Sequence, residues 1–397
     1  TDPKGPLSGV TKVIRQDGFT RKALALNAAG RYNLGSMEFR LVVEAQAPEF
    51  VDNDPAPFNL AAVKQSTAAA LEGPDSGSPY FHVRFAMPIP NDSDKSISGA
   101  LVGLDGAVWD HNHSPGMTVL PNGDVIAMWF CGRDADSEND VYTRFIWARL
   151  RYGSDIWEVS QLYYDTRMND QSALLWTDDD GSVWSVTGGR DNNGLLFRLT
   201  RSTDNGATWQ SWYPESANVN GSYTPQPITG MFRDPSDNIY FSMDGGGNDS
   251  FLWRSSDEGM NWVDMGGRTE TRHSAIAPIS GGNLISVTGK NNNLEEISGN
   301  WGSSWSATSY QHNYHTLDSN QRPGIVRLAN GKIVIAQDSA YARGGDYGDN
   351  PFVAISDDNG QTWFRRYLPV ARRHHFHVIN SEACGTLSYA AMDQGPN

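Results

Sequence analysis

The sequence contains only two cysteines, Cys131 and Cys384, among its 397 residues. They either pair or both stay reduced and buried, and a chain of this length buries a large core without disulfide bonds. A run of about 18 apolar residues, which a transmembrane helix needs, is absent. Basic residues are also in deficit, with 31 Lys and Arg against 46 Asp and Glu. The net charge of −15 argues against nucleic acid or an anionic membrane surface as the main partner.

Glycine and tryptophan, in contrast, are abundant, with 40 and 13 residues. Charged residues make up 19% of the chain and aromatic residues 11%, which is typical of a folded, turn-rich protein. The length exceeds that of one ordinary β-sandwich and fits a single propeller of four-stranded blades. These features predict an all-β fold.

An eight-residue turn repeat supports this prediction. Ser-Thr-Asp-Asn-Gly-Ala-Thr-Trp ends at Trp209, and related segments end at Trp262 and Trp363, with weaker copies ending at Trp157 and Trp305. The Asp and Asn side chains suit a tight turn, Gly suits a positive φ, and Trp packs between neighbouring sheets. The tryptophans are 52, 53, 43 and 58 residues apart, which is a blade period.

A second repeat runs in step with the first. Each copy has a polar start, an apolar strand, a Gly-containing or Asp-Asn turn and a second apolar strand, with copies beginning at His113, Gln171, Gln226, His273 and Arg322. A sixth copy begins near Leu387 and reaches the end of the given sequence inside its turn, so either the natural chain continues or N-terminal strands complete that blade. We therefore predict a β-propeller of six or seven four-stranded antiparallel blades. Residues 1–100 form an extra blade or a flanking layer, and residues 101–397 form the propeller, with no linker between them.

The turn repeats resemble the Asp boxes, also called BNR repeats, of sialidases and related carbohydrate-active enzymes, and the resemblance covers residues 105–397. The segment 321–336 is similar to the Arg-Ile-Pro strand of sialidases, although Arg322 is followed directly by Pro323. The segment 113–133 is similar to a first catalytic blade, with His113 where an arginine is expected. The resemblance implies a propeller that acts on or binds carbohydrate. Propeller lyases that act on ulvan or rhamnose–glucuronate polysaccharides carry a similar cluster of His, Tyr and Arg, and their second His corresponds here to the stretch 131–133.

The candidate site follows from the position of the polar strand starts. In a propeller the innermost strands begin near the mouth of the central channel, so their first residues converge on a ligand. The predicted catalytic residues are His113, Tyr223, Arg272 and Arg322. The predicted substrate-binding residues are His111, Asn112, Asp134, Asp136, Asp170, Gln171, Gln226 and His273.

Three functions fit this set. The first is a lyase that cleaves a uronic-acid-containing polysaccharide by β-elimination, with His113 as base, Tyr223 as acid and the two arginines on the carboxylate. The second is an exo-glycosidase of the sialidase superfamily, which depends on Asp134, Asp136 or Asp170. The third is a propeller that binds glycans without cleaving them.

The remaining expectations concern cofactors, partners and location. No cofactor is required and no catalytic metal is predicted, although the acidic turn 178–181 allows a structural Ca²⁺. The expected partner is a polysaccharide or oligosaccharide, without nucleic acid or membrane, and the expected state is a monomer. The start at Thr1 indicates a removed signal peptide or a trimmed start, and we expect a secreted or periplasmic protein.

Overall fold

The computed structural model describes residues 10–16, 19–24, 60, 62–65, 86, 111–132, 143–158, 160–166, 169–190, 197–287, 294–308, 322–338, 351–367 and 389–395. Near the N-terminus, β1 (Val10–Gln16) and β2 (Phe19–Leu24) form an antiparallel hairpin. Regular structure elsewhere in the described residues consists of further β-strands and a 3₁₀ turn at Ser280–Gly282.

Five sheets of at least four strands follow one another along the chain, and each is a propeller blade. The first blade contains β3 (His111–Val119), β4 (Val125–Gly132), β5 (Arg144–Leu150) and β6 (Gln161–Tyr164). The second contains β7 (Asn169–Thr177), β8 (Val183–Arg190), β9 (Arg198–Ser202) and β10 (Gln210–Trp212). The third contains β11 (Ser216–Asn218), β12 (Tyr223–Arg233), β13 (Ile239–Gly245), β14 (Ser250–Ser255) and β15 (Asn261–Asp264). The fourth contains β16 (Ala275–Pro278), β17 (Leu284–Val287), β18 (Glu295–Ser298) and β19 (Ser306–Ala307). The fifth contains β20 (Gly324–Arg327), β21 (Ile333–Asp338), β22 (Pro351–Ser356) and β23 (Phe364–Tyr367).

Neighbouring strands within each blade are antiparallel, except that β11 pairs with β15 in parallel. The innermost strands of successive blades contact each other, in the order β3, β7, β12, β16 and β20. Apolar side chains fill the space between the sheets, because a sheet buries its apolar face by packing against the neighbouring sheet. The β-propeller fold predicted from the sequence is therefore confirmed.

The turn repeat predicted from the sequence forms one set of local hydrogen bonds. Ser202 Oγ accepts from the amide of Gly206 at 2.8 Å and donates to Asp204 Oδ1 at 2.8 Å. The other carboxylate oxygen of Asp204 accepts from Thr208 Oγ1 at 2.6 Å, and Trp209 Nε1 donates to the carbonyl of Gly206 at 3.2 Å. The serine–glycine bond recurs in the copies that end at Trp262, Trp305 and Trp363. Trp209 packs in an apolar cluster that joins the first and second blades, as the sequence predicted.

The prediction of six or seven blades was wrong, since the described residues form five. It depended on the copy near Leu387 and on an extra blade in residues 1–100, but residues 389–395 build no sheet of their own. Tyr389 forms an isolated parallel bridge with Arg322, and Ala390 donates to the carbonyl of Arg322 at 3.0 Å. Asp393 Oδ2 accepts from Thr118 Oγ1 at 2.6 Å and from the Val119 amide at 2.8 Å. The segment therefore lies between the fifth and first blades as a single closing segment.

The described part of residues 1–100 includes a short segment that flanks the propeller. The amide of Leu60 donates to the carbonyl of Ala207 at 2.6 Å, and the carbonyl of Lys64 accepts from Asn122 Nδ2 at 2.8 Å. The division of the chain at residue 100 stays a prediction. Cys131 is buried in the first blade, and Cys384 lies outside the described residues.

Candidate functional site

The starts of the innermost strands carry unusual backbone. Ser114, Ser172 and His273 have φ angles of 49°, 56° and 62°, in a region that side-chain-bearing residues seldom adopt. Ser114 and Ser172 each fall where the pairing register shifts inside β3 and β7. Strained backbone of this kind concentrates at functional sites. All three residues contact the same side chain, that of Arg322.

Arg322 forms the hub of this centre, and its side chain is 6% exposed. One terminal nitrogen donates to Ser114 Oγ at 3.3 Å and to Ser172 Oγ at 3.1 Å. The other donates to Gln226 Oε1 at 2.9 Å and lies 3.6 Å from Asp244 Oδ2. These contacts join Arg322 to the innermost strands of the first three blades, so protein groups already occupy its guanidinium.

Asp244 is the carboxylate of the centre and is fully buried at the end of β13. Its Oδ1 accepts from the backbone amide of His273 at 2.8 Å and from Ser250 Oγ at 3.1 Å. Its Oδ2 lies 2.8 Å from His273 Nδ1 and 3.4 Å from a terminal nitrogen of Arg272. Burial alone raises the pKa of Asp244, but His273 and the two arginines outweigh it and hold the pKa well below its ordinary value.

Asp244 was not among the predicted site residues, although the sequence contains a signal for it. Because β12 and β13 are antiparallel, the end of β13 lies beside the start of β12. An acidic residue that closes an apolar second strand therefore reaches the same end of the blade as the polar strand starts. Asp244 stands just before Gly245, at the end of such a strand.

His273 is neutral at pH 7. Burial, and then the charge of Arg322, lower its pKa to about 4, although the nearby Asp244 carboxylate raises it in part. Arg322 Nε donates to its Nδ1 at 3.2 Å, and Asp244 Oδ2 lies 2.8 Å from the same nitrogen.

Arg272 differs from Arg322 in having a hydrogen-bond donor without an acceptor among the described residues. Its side chain is 23% exposed, and one terminal nitrogen contacts Asp244 and Gln226 Oε1, the latter at 3.3 Å. Its Nε is buried without an acceptor among the described residues. A buried donor without an acceptor is costly, so a ligand acceptor at this position gains a strong hydrogen bond.

An aromatic and histidine pair completes the centre. The ring of Tyr389 lies edge-on to that of His113, with centroids 4.2 Å apart, and 5.8 Å from that of His273. The guanidinium carbon of Arg322 lies 4.9 Å from the Tyr389 ring centroid. Tyr389 was not among the predicted site residues, because no local pattern in the sequence shows that the C-terminal segment reaches this centre.

The structure brings together six of the twelve predicted site residues. His113, Arg272, Arg322, Gln226 and His273 join the centre, and Gln171 Oε1 accepts from Gln226 Nε2 at 2.9 Å.

Other predicted residues have different surroundings. Tyr223 begins β12 and packs against Trp253, with ring centroids 6.0 Å apart. Asp170 accepts from Thr166 Oγ1 at 2.5 Å, and Asn112 Oδ1 accepts from Trp129 Nε1 at 3.0 Å.

For the last three predicted residues, the structure describes only the backbone of one. His111 begins β3 and pairs with Gly132 in the sheet register. Asp134 and Asp136 lie outside the described residues. The roles assigned to all predicted site residues stay predictions.

The four charged or titratable residues described around Arg322 include more positive than negative charge. Arg272 and Arg322 carry two positive charges, Asp244 carries one negative charge, and His273 is neutral at pH 7. The whole chain has a net charge of −15. A local excess of positive charge inside a protein wall attracts an anionic group to this point.

The described residues contain no group of three His, Cys, Asp or Glu side chains placed to hold a metal ion. Asp178 and Asp180, in the acidic turn that allowed a calcium ion, pair with Arg233 at 2.7 Å and Arg201 at 2.8 Å. The structural Ca²⁺ stays a prediction. No helix in the described part of the chain has the length and apolarity to cross a membrane.

No protein-family model and no curated protein matches the sequence. Among solved structures, the Hadza microbial sialidase Hz136 matches with a TM-score of 0.52 and 14% identity over 65% of this chain, which spans 58% of that sialidase. A Dyadobacter fermentans DSM 18053 protein of unknown function matches with a TM-score of 0.51 and 13% identity over 66% of this chain and 85% of its own. At these identities the similarity concerns the fold. The chain is a β-propeller whose structural neighbours include sialidases, as the Asp boxes predicted.

Proposed function

We propose that this protein is a carbohydrate-active enzyme, a glycoside hydrolase that acts on a sugar carrying a carboxylate. The observation on which this rests is the grouping of Tyr389, two imidazoles and Arg272 at the propeller centre. The sialidase neighbours support a glycan as substrate in preference to a protein or a nucleic acid.

Arg272 is the group that would bind the carboxylate. Its Nε lacks an acceptor among the described residues, and its side chain is partly exposed, whereas protein groups occupy Arg322. Arg322 would instead keep the strand starts together. This refines the prediction of a two-arginine clamp to one binding arginine and one organising arginine.

Tyr389 would be the nucleophile. Glycosidases commonly use two carboxylates, but sialidases use a tyrosine in place of the second. Its oxygen would attack the anomeric carbon while an imidazole accepts the hydroxyl proton, and the leaving oxygen would take a proton from an acid. Water would then cleave the tyrosyl–sugar bond. Asp134 and Asp136 keep their predicted place as candidate acids, as does Asp170.

A lyase is the second candidate, and one observation favours it. Asp244 is the carboxylate that the described residues place at the centre, and it is buried and fully engaged by His273, Ser250 and two arginines. β-Elimination on a uronic acid needs no pair of carboxylates. An imidazole would take the proton α to the carboxylate, a double bond would form as the C–O bond breaks, and Tyr389 would protonate the leaving oxygen.

One assay separates the candidates. The protein is incubated with sialosides and with uronic-acid polysaccharides, and new reducing ends and ultraviolet absorbance of an unsaturated product are both measured. Reducing ends without absorbance support the hydrolase, and a parallel rise of both supports the lyase. Saturable binding without either product supports the non-catalytic alternative, and no binding across the panel rejects all three. A secreted or periplasmic monomer that needs no cofactor is part of the same proposal.

A further inference from the structure

A cavity lies at the end of the propeller opposite the candidate site. The turns that follow β7, β12 and β16 line this cavity of about 1080 Å³, together with Arg201, Glu258, Trp301 and Arg327. The residues around Arg322 stand at or just before the starts of innermost strands, whereas these turns stand at the ends of such strands. The cavity is therefore separate from the candidate site, and it has the size of a small-molecule binding site.

Trp301 presents an aromatic ring to this cavity from an Asp box. The equivalent position of three other Asp boxes carries Asn205, Glu258 and Asn359, and all four residues have φ between 54° and 60°. Asparagine tolerates this left-handed region, but a bulky aromatic residue there is an outlier, and such outliers concentrate at functional sites. The indole stacks on Tyr240, with ring centroids 5.6 Å apart, and stays partly exposed.

The asparagines at this position join neighbouring blades through a contact that Trp301 cannot copy. Asn205 Oδ1 accepts from the Asn122 amide and Asn359 Oδ1 accepts from the Ser280 amide, both at 3.1 Å. Each of these amides belongs to the inner turn of the preceding blade. An indole has one donor and no acceptor, so it cannot accept such a bond. The tryptophan therefore replaces a hydrogen bond between blades by a partly exposed ring, which favours a binding role for this residue.

Ion pairs fix the polar groups of the cavity. Arg233 lies 2.7 Å from Asp178 Oδ2 and 2.8 Å from Glu258 Oε1. Arg201 lies 2.8 Å from Asp180 Oδ2. The side chains of Asp180 and Glu258 are 53% and 49% exposed, so their remaining lone pairs can accept from a ligand. Paired carboxylates and guanidinium groups suit sugar hydroxyls, because a hydroxyl both donates and accepts hydrogen bonds.

We propose that this cavity binds a neutral sugar unit, with its C–H face on Trp301 and its hydroxyls on the carboxylate–arginine pairs. Six carboxylates and three arginines line the cavity, so the excess of negative charge disfavours an anionic sugar and the arginines disfavour a small cation. Arg327 is exposed, and its guanidinium has no hydrogen bond or ion pair in the described part of the chain, so it can donate to a sugar oxygen. This second glycan site goes beyond the proposed function, since it needs no chemistry at the centre.

The first experiment compares Trp301→Asn with Phe364→Asn by calorimetric titration with gluco-, galacto- and manno-oligosaccharides. Asparagine suits the left-handed position, as in Asn205 and Asn359, so Trp301→Asn removes the ring without straining the turn. Phe364 is a matched control, since it is 56% exposed on the outermost strand of the fifth blade and does not line the cavity. We expect Trp301→Asn to weaken the Kd of a bound oligosaccharide by about 10-fold or more and Phe364→Asn to leave it unchanged. Binding of none of these sugars, or an equal Kd in wild type and folded Trp301→Asn, would overturn the proposal.

If Trp301→Asn does not fold, Arg327→Gln takes its place, because it changes an exposed side chain. It should weaken the Kd by about 10-fold, since it removes a hydrogen bond from a charged donor, and an unchanged Kd would overturn the proposal.

The second experiment separates the cavity from the candidate site and tests the charge argument. Arg272→Gln should leave the Kd of the neutral oligosaccharide unchanged, and a loss of binding in this variant would place the sugar at the propeller centre and overturn the proposal. Wild-type protein is also titrated with glucuronic acid oligomers, spermidine and calcium chloride. Tighter binding of any of these than of the neutral sugars would overturn it as well. Because only binding is measured, a sugar bound at Trp301 in a protein that cleaves no glycan would contradict the proposed function and leave this inference intact.

Discussion

Tyr389 lies edge-on to His113 at a ring-centroid distance of 4.2 Å, although one residue belongs to the last described segment of the chain and the other to the first blade. The guanidinium carbon of Arg322 lies 4.9 Å from the centroid of the same tyrosine ring. Asp393, four residues further on, hydrogen-bonds to Thr118 and Val119 of β3. The segment that closes the ring of blades therefore also delivers a hydroxyl-bearing ring to its centre.

Tyr389→Phe should lower kcat by about 10² to 10⁴-fold, because it removes the reactive hydroxyl but keeps the ring that packs on His113 and Arg322. The melting temperature should stay near that of the wild type. Steady-state kinetics and a thermal melt provide the check.

Tyr240→Phe is the matched control. Its hydroxyl donates to Asp234 at 3.0 Å, and Asp234 directly follows β12, at the end of that strand away from Tyr223. This variant should keep its kcat. If turnover survives in Tyr389→Phe but is lost in Tyr223→Phe, the original assignment of Tyr223 is the better one.

Arg272→Gln should raise KM for a carboxylate-bearing substrate by about 10 to 100-fold, since a hydrogen bond to a charged group contributes roughly 1.5 to 3 kcal/mol. The methyl ester of the same sugar should bind the variant and the wild type almost equally. KM values for acid and ester in both proteins test this. An equal loss for the two substrates would contradict a carboxylate contact.

Arg322→Lys should act differently, on stability more than on binding. A lysine cannot reproduce the guanidinium contacts to Ser114, Ser172 and Gln226, and loss of buried hydrogen bonds to a charged group destabilises the fold. Urea unfolding should show a loss of roughly 2 to 4 kcal/mol. Wild-type stability in this variant would show that the fold does not depend on these Arg322 contacts.

His273 should make the protein less stable in acid. Its pKa is about 4 when folded and about 6.5 in an unfolded chain, so its contribution is complete above pH 6.5 and is lost as the pH falls to 4. The expected loss between pH 7 and pH 4.5 is roughly 2 to 3 kcal/mol. Urea unfolding of wild type and His273→Gln at both pH values measures it, and an equal pH dependence in the two proteins would contradict the assignment.

Two glycines with nearly the same φ provide a test of the Asp-box packing. Gly206 has φ at 72°, and a Cβ there would lie 2.6 Å from an Arg149 nitrogen and 2.9 Å from Ile126 Cδ1. Gly153 has φ at 75°, and a Cβ there would meet nothing within 4 Å. Both Ala variants should lose about 1 to 2 kcal/mol from the left-handed backbone, and Gly206→Ala should lose about 1 to 3 kcal/mol more. Equal melting temperatures would contradict this difference.

Half of the predicted site residues meet at the centre, and the roles assigned to them stay predictions. His113, Gln226, Arg272, His273 and Arg322 were selected because each stands at the start of an innermost strand, and the structure groups them. Asp244 and Tyr389 were missed, since one ends a second strand and the other belongs to a segment without a local pattern. The different states of the two arginines depend on which neighbours occupy their donors, and no spacing in the sequence shows that.

The sequence alone determined the β-propeller fold, its Asp boxes and its hairpin turns. These depend on hydrogen bonds that close within a few residues, such as Ser202 to Gly206, so nearby side chains are sufficient to specify them. Tertiary structure decided the number of blades and the placement of the C-terminal segment. A further copy of the repeat can either form a new sheet or pack against sheets that already exist. The positively charged centre was also decided there, since Arg322, Asp244 and Tyr389 meet only after the blades have packed against each other.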